Sequence, residues 1–291
     1  MPGRILWCWA AAPARCSRWG PDTIFGGAGP DSVTAIGNVL VVGGAGALNF
    51  QGAAGNSTVF SGAGGLTYIG GAGRDLVVGD GNPLVVQGGT GGGEYFGGGN
   101  SVISAGAGAQ AVLVGGNGDQ LYSAGGVGDL FGAEAGGNLL MYGVASRGSD
   151  MFFGAAGTGT LTFIAGSGGD IMGLGQGTNL VTLGSGHDTV FANTGTTGVL
   201  TITTGLGSAD IGLGGASVDL AIGLAPILRT FVLYNFVPGA DVITLAGFAP
   251  AAAANALATQ TVSNGLTVLS LNNGTTVILA GVTHAAQGLF G

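Results

Sequence analysis

Asp170 and Asp188 are the residues best placed for chemistry in this 291-residue chain: two carboxylates, each in a Gly-x-Asp context, eighteen residues apart. Asp150 stands twenty residues before Asp170, and Asp22, Asp31 and Asp75 lie in similar glycine-rich settings. Carboxylates placed like this can ligate a hard cation, or can simply serve as turn residues, a role in which Asp is common. The net charge of −8 and pI near 4.2 allow divalent cations. They disfavour nucleic acid and anionic membrane surfaces, both of which call for basic patches.

Other chemistries lack their residues. The chain has no lysine, so a P-loop and Schiff-base chemistry are both excluded. Its glycines never fall at the dinucleotide-binding spacing. His187 and His284 stand far apart in sequence, and His187, next to Asp188 in a turn, is expected to face solvent. Glu94 and Glu134 are the only glutamates and form no tight acidic cluster; solubility is their expected role. No nucleophile elbow is present, and the expectation is a protein that is not an enzyme. No apolar run approaches the roughly 18 to 20 residues that span a bilayer. Both cysteines, Cys8 and Cys16, fall among the first twenty residues, so the remainder can hold neither a disulfide framework nor a cysteine-based zinc site.

The elements that would position the aspartates follow from repetition. Glycine supplies 66 residues and charged residues only 7%, yet hydrophobic residues reach 46% and mean hydropathy is +0.55, which argues against disorder. Gly26–Thr34 reads GGAGPDSVT and Gly70–Val78 reads GGAGRDLVV, both nonapeptides of the form G-G-x-G-x-D-x-U-x with U a large apolar residue. From Gly43 to Phe96 the nine-residue register holds without a slip, and its eighth position is Phe50, Val59, Tyr68, Val77, Val86 and Tyr95. Each short strand points one such side chain inward and each glycine-rich segment turns the chain. Two nonapeptides make one coil of eighteen residues, and stacked coils form two parallel sheets around a thin core. The sixth position reads Leu48, Ser57, Leu66, Asp75, Leu84 and Gly93, so an apolar ladder closes one edge and Asp75 stands alone on the other.

Residues 21–228 form this β-roll, degenerate in register after about 97. Residues 229–291 read as a β-rich cap. There, Asn264-Gly265 and Asn273-Gly274 are hairpin turns flanking the runs Leu266–Leu271 and Thr275–Leu279, and Ala249–Thr259 is a candidate short helix. Residues 1–20 read as a leader or a wrongly assigned start; the apolar Ile5–Ala12 followed by Ala12-Pro13-Ala14 also leaves a secretory signal open.

The nonapeptide array and the stretch Asn235-Phe236-Val237-Pro238-Gly239-Ala240-Asp241-Val242-Ile243-Thr244-Leu245 resemble the RTX, or hemolysin-type calcium-binding, repeat family exported by type I secretion systems. Gly274–Thr283 is similar to the closing strands of that family's C-terminal module. The resemblance implies an all-β, right-handed parallel β-roll, an extracellular location, contact with the type I secretion machinery through the C-terminus, and folding on calcium. It also implies calcium sites in which sixth-position aspartates of successive coils share an ion. Asp170 with Asp188 is then the best pair, Asp150 extends that row, and Asp75, Asp31 and Asp22 are further candidates; Asp22 and Asp31, nine apart, fall on opposite edges. Asp210, Asp219 and Asp241 are expected to be turn or surface residues. The departure from the family pattern is that most repeats lack the aspartate.

The expected function is therefore a secreted calcium-binding RTX-like protein with a structural, adhesive or secretion-module role. Two rivals stand beside it: a metal-independent structural or surface-interaction solenoid, and the non-catalytic C-terminal part of a larger secreted enzyme. A solenoid hydrolase would require clustered carboxylates in a groove. An ice-binding solenoid would require regular ranks of Thr-x-Thr, which are missing; Thr201-Ile202-Thr203 belongs to no such rank. The surface partner is not legible.

Overall fold

In the computed structural model the chain folds as a nearly all-β parallel β-solenoid of about 11 turns. The structure describes residues 5–7, 14–18, 21–125, 127–134, 136–157, 159–192, 198–215 and 217–291. Cys8 and most of the leader region therefore lie outside the described residues. Two compact units divide the chain, 1–147 and 148–291.

In the first unit successive strands alternate between two sheets, and each strand pairs in parallel with the strand one coil later. Ser57–Phe60, Asp75–Val78 and Gly93–Phe96 are neighbours in one sheet; Leu48–Gly52, Leu66–Ile69 and Leu84–Gln87 are neighbours in the other. Strands Ile5–Trp7 and Ala14–Arg18 pair in parallel with Asp22–Phe25 and Asp31–Ala35, so these residues of the leader region continue the two sheets.

The period of nine fixes what is inside. All six eighth-position side chains from Phe50 to Tyr95 are buried, and facing residues of successive coils stack in register, as Val59 does on Val77 and Tyr68 on Val86. The Phe50 and Tyr68 rings lie parallel at 5.0 Å. Leu48, Leu66 and Leu84 form a buried column in register, the apolar edge expected from the sixth positions. The turns stack as closely as the strands. A Cβ on Gly71 would fall 1.8 Å from the Ala53 carbonyl oxygen, and one on Gly89 would fall 1.8 Å from that of Gly71. Only glycine lets one turn's backbone rest on the next, which accounts for much of the unusual composition.

The second unit keeps this plan but lengthens its coils. Asp170 follows Asp150 by twenty residues, the coil pairing Asn179 with Leu200 spans twenty-one, and that pairing Asp219 with Val242 spans twenty-three. The insertions lie in the turns, so strand register is preserved. At the C-terminal end Thr230–Tyr234 pairs in parallel with Thr276–Ala280, and the antiparallel strands Leu266–Ser270 and Thr261–Ser263 continue that sheet. The first of the two predicted turns, Asn264-Gly265, has positive φ at both residues (51° and 76°), as a two-residue hairpin turn requires; in the second, Gly274 has φ 84°. The helix spans Ala252–Ala258, inside the predicted range, and buries Ala252 and Ala256.

Arg229 ties this hairpin to the coils. Its guanidinium is buried, donates to the carbonyls of Gly205 (2.6 Å) and Gly223 and to Thr275 Oγ1 (3.3 Å), and lies 5.4 Å over the Phe231 ring. Burial pulls its pKa down. The carbonyl dipoles stand where a carboxylate partner would otherwise be needed.

Candidate functional site

A sixth-position side chain begins a strand, on the same side of the pleat as the buried eighth position, so an aspartate there must point inward at the edge of the core. The structure buries Asp31, Asp75, Asp150, Asp170 and Asp188, all at 0 to 3% exposure. Asp22 alone among the candidate ligands is partly exposed, beside a shallow recess lined by Asn38, Asn56 and Thr58. It begins a strand of one sheet and Asp31 a strand of the other.

Asp170 and Asp188 share one bonding pattern, whereas Asp31, Asp75 and Asp150 each keep one buried carboxylate oxygen without a hydrogen-bond partner. Asp170 Oδ1 accepts the backbone N–H of Asp150 in the preceding coil at 2.7 Å, and its Oδ2 accepts that of Gly166 in its own turn at 2.8 Å. Asp188 repeats this on Asp170 (3.0 Å) and Gly184 (2.7 Å). Asp150, Asp170 and Asp188 therefore form one row on successive coils. In the first unit Asp75 Oδ1 takes the N–H of Ser57 at 2.9 Å, and Asp31 Oδ2 takes that of Gly27 at 2.9 Å. Where the next coil carries leucine instead, the strand-start N–H goes to a main-chain carbonyl, as Leu48 N does to Gly65 at 3.1 Å. The aspartate thus replaces a carbonyl as acceptor and adds a second bond to its own turn.

Three further residues belong to the set. Asp119 joins the N–H groups of Ser101 (2.6 Å) and Gly116 (2.9 Å), and Asp129 those of Ala111 (2.8 Å) and Ala124 (3.4 Å). Asp241 joins those of Val218 (3.1 Å) and Val237 (2.7 Å). Asp241 closes the turn that begins at Val237, as expected of a turn residue, but at 3% exposure it is a buried clasp and not a surface residue. Asp210 and Asp219 remain outside the core, and Asp210 meets the exposed His187 at 3.1 Å. Ser101 performs the same task with one oxygen, accepting from Leu84 (3.1 Å) and Gly98 (3.2 Å).

For Asp75, Asp129, Asp170 and Asp188 burial raises the pKa and the N–H bonds oppose it. For Asp170 and Asp129 burial prevails and lifts the value to about 6; Asp150 and Asp188 push Asp170 further in the same direction. Asp188 is raised by burial against its two backbone bonds. Asp75 is likewise raised by burial, opposed chiefly by the neighbouring Tyr68 hydroxyl, which sits outside formal hydrogen-bond geometry.

Calcium requires six to eight oxygen ligands. Around Asp170 and Asp188 the carboxylate oxygens face N–H donors, which is the surrounding of an anion. Among the described residues no group of three or more His, Cys, Asp or Glu side chains could hold a metal. In this arrangement Asp170 and Asp188 do not fit a calcium ion.

Fold and edge chemistry together define a parallel β-solenoid of the β-roll kind, compatible with a repeat protein. The chain matches no known protein family, no curated protein and no solved structure. Among the described residues no helix is long and apolar enough to cross a membrane.

Proposed function

We propose that the chain is an extracellular structural or surface-interaction solenoid whose coils are clasped by buried aspartates without bound metal. One observation carries this reading. In Asp119, Asp129, Asp170, Asp188 and Asp241 each carboxylate oxygen accepts a backbone N–H, one in the preceding coil and one in its own turn. The extracellular placement, and export by type I machinery through the C-terminal stretch, rest on the resemblance of the repeats and of residues 235–245 to RTX proteins. A non-catalytic role within a larger secreted protein is compatible with the same reading.

The calcium-dependent reading has one feature in its favour: Asp150, Asp170 and Asp188 stack on successive coils, and the first and last both disfavour charge on Asp170. A cation there would relieve that repulsion, at the cost of the carboxylates leaving their N–H partners. Far-UV circular dichroism of EDTA-treated protein titrated with calcium separates the two. A full β spectrum before calcium, unchanged through millimolar additions, is the expected result. A β signal that appears only with calcium, and is lost in Asp170→Ala/Asp188→Ala, would replace the proposal with the calcium-dependent one.

A further inference from the structure

The outward face of the sheet holding Asp22–Phe25, Val39–Val42, Ser57–Phe60, Asp75–Val78, Gly93–Phe96 and Ala111–Gly115 is apolar. Its last outward row reads Phe25, Val42, Phe60, Val78, Phe96, Val114 along six adjacent strands, each in register with the next. None of the six is buried, and Phe60 is 40% exposed. The neighbouring outward row carries Thr23, Leu40, Thr58, Leu76, Glu94 and Val112. Glu94 is its single charge and is paired with Arg74 at 3.1 Å. The other sheet of this unit is mixed, with Ser32, Thr34, Asn49, Gln51, Thr67 and Gln87 beside the exposed Ile69, Val85 and Val102 among its outward residues.

The sheet continues on either side, with Trp7 in register with Phe25 and Gly132 with Val114; within these six positions large and small alternate, so reversing their order converts every phenylalanine position into a valine position. A two-fold axis along the strand direction, passing between Ser57–Phe60 and Asp75–Val78, performs that reversal. It lays Phe60 over the second copy's Val78, Phe96 over its Val42, and Phe25 over its Val114. Each large ring meets a small side chain, and every contact occurs twice, as an isologous interface requires. The face spans about 29 Å across its strands and about 13 Å along them. Side-chain relief brings the accessible surface removed from the pair to roughly 1,000 Å², the low end for a specific interface.

We infer that this face pairs with a second copy of the chain, as a two-fold dimer in which phenylalanine rows interlock with valine rows. The inference goes beyond the proposed function and does not depend on the metal question. An interface of this size belongs with weak, transient associations, so the dimer should form only as concentration rises.

Light scattering during size exclusion of the full chain, run across a concentration series, tests it. The mass should move from 27.8 kDa toward twice that value, 2 × 27.8 = 55.6 kDa, as concentration rises. Val78→Phe sets ring against ring and Phe60→Val leaves gaps, twice each by symmetry; either should weaken dimerisation by about tenfold or more. The double variant Phe60→Val/Val78→Phe restores large-on-small contact with the two roles exchanged, and should recover affinity to within about threefold of the parent. Val42→Phe and Phe96→Val, singly and together, repeat the cycle at the other contact, and unchanged circular dichroism certifies that each variant folds. A monomer at every concentration would overturn the inference, including one that instead sediments with lipid vesicles or an insoluble polysaccharide. So would a dimer indifferent to the single substitutions, or one that the double variants fail to restore.

Discussion

Asp188 holds Asp170, its Oδ1 accepting the Asp170 backbone N–H at 3.0 Å, and Asp170 holds Asp150 in the same way at 2.7 Å. The row joins coil to coil through side chains where a leucine-bearing coil such as that of Leu48 uses a carbonyl. Asp170 and Asp188 also fix the turn that precedes each of them, so one residue sets both the stacking of coils and the geometry of the bend.

Truncating such a clasp strands two donors. Asp170→Ala leaves the N–H groups of Asp150 and Gly166 without their acceptor in a buried setting and should cost about 2–4 kcal/mol. Asp170→Asn keeps one acceptor but turns an amide N–H₂ toward an N–H, and should cost about half as much. Urea unfolding in EDTA measures both; a loss under about 0.5 kcal/mol for the alanine variant would refute the clasp.

The raised carboxyls make stability depend on pH in an uncommon direction. Asp129 and Asp170 titrate near 6 in the folded state against about 3.9 when unfolded, so the folded chain holds their protons more tightly. Their favourable contribution is complete below about pH 4 and is lost as pH rises toward and through 6. Unfolding free energy should therefore fall by roughly 2 kcal/mol per group between pH 4 and pH 7, and Asp129→Asn with Asp170→Asn should flatten that slope. Stability that rises over the same interval would show that the N–H bonds outweigh burial.

Arg229 is a buried cation held by carbonyl oxygens, the Thr275 hydroxyl and a ring face. Arg229→Met removes the donors and should destabilise by about 2–4 kcal/mol, with Arg229→Lys recovering only part because one ammonium cannot reproduce the planar fork. Hydrogen exchange in Thr276–Ala280 should accelerate first, since Thr275 is where the guanidinium meets the hairpin.

Close stacking of turns predicts a sharp contrast among glycines. A Cβ at Gly186 would lie 1.8 Å from the Gly168 carbonyl oxygen, whereas one at Gly223 meets nothing within 4 Å. Gly186→Ala should cost more than about 3 kcal/mol or prevent folding, and Gly223→Ala should be within about 1 kcal/mol of neutral. Thermal unfolding of the two variants side by side is sufficient.

Much of this fold was legible because a period of nine leaves little freedom. The six residues from Phe50 to Tyr95 and the column Leu48, Leu66, Leu84 could only be interior once the register was set. The two C-terminal turns carried their own Asn-Gly signals. The clasp was less legible, because a motif tells where an aspartate stands and not what its oxygens bond. Asp119 reaches a turn N–H three residues back, Asp170 four and Asp129 five. The carboxylate absorbs these differences in turn length, so a strict nine-residue register does not single out Asp119 or Asp129. Asp241 carried a usable signal, an aspartate just before an alternating apolar strand.

The spacing of the strand pairs has a kinetic meaning. Most contacts join residues about one coil apart, so no pairing among successive coils must wait for a distant part of the chain. Closing a loop of that size is entropically cheap, and each closed coil becomes the template for the next. Order can then spread along the chain like a zipper, at a rate set by single steps and not by overall length. The pairing of Thr230–Tyr234 with Thr276–Ala280 bridges forty-six residues and is the longest wait among the described strand pairs. The C-terminal hairpin should therefore dock last, after the coils that receive it are already built.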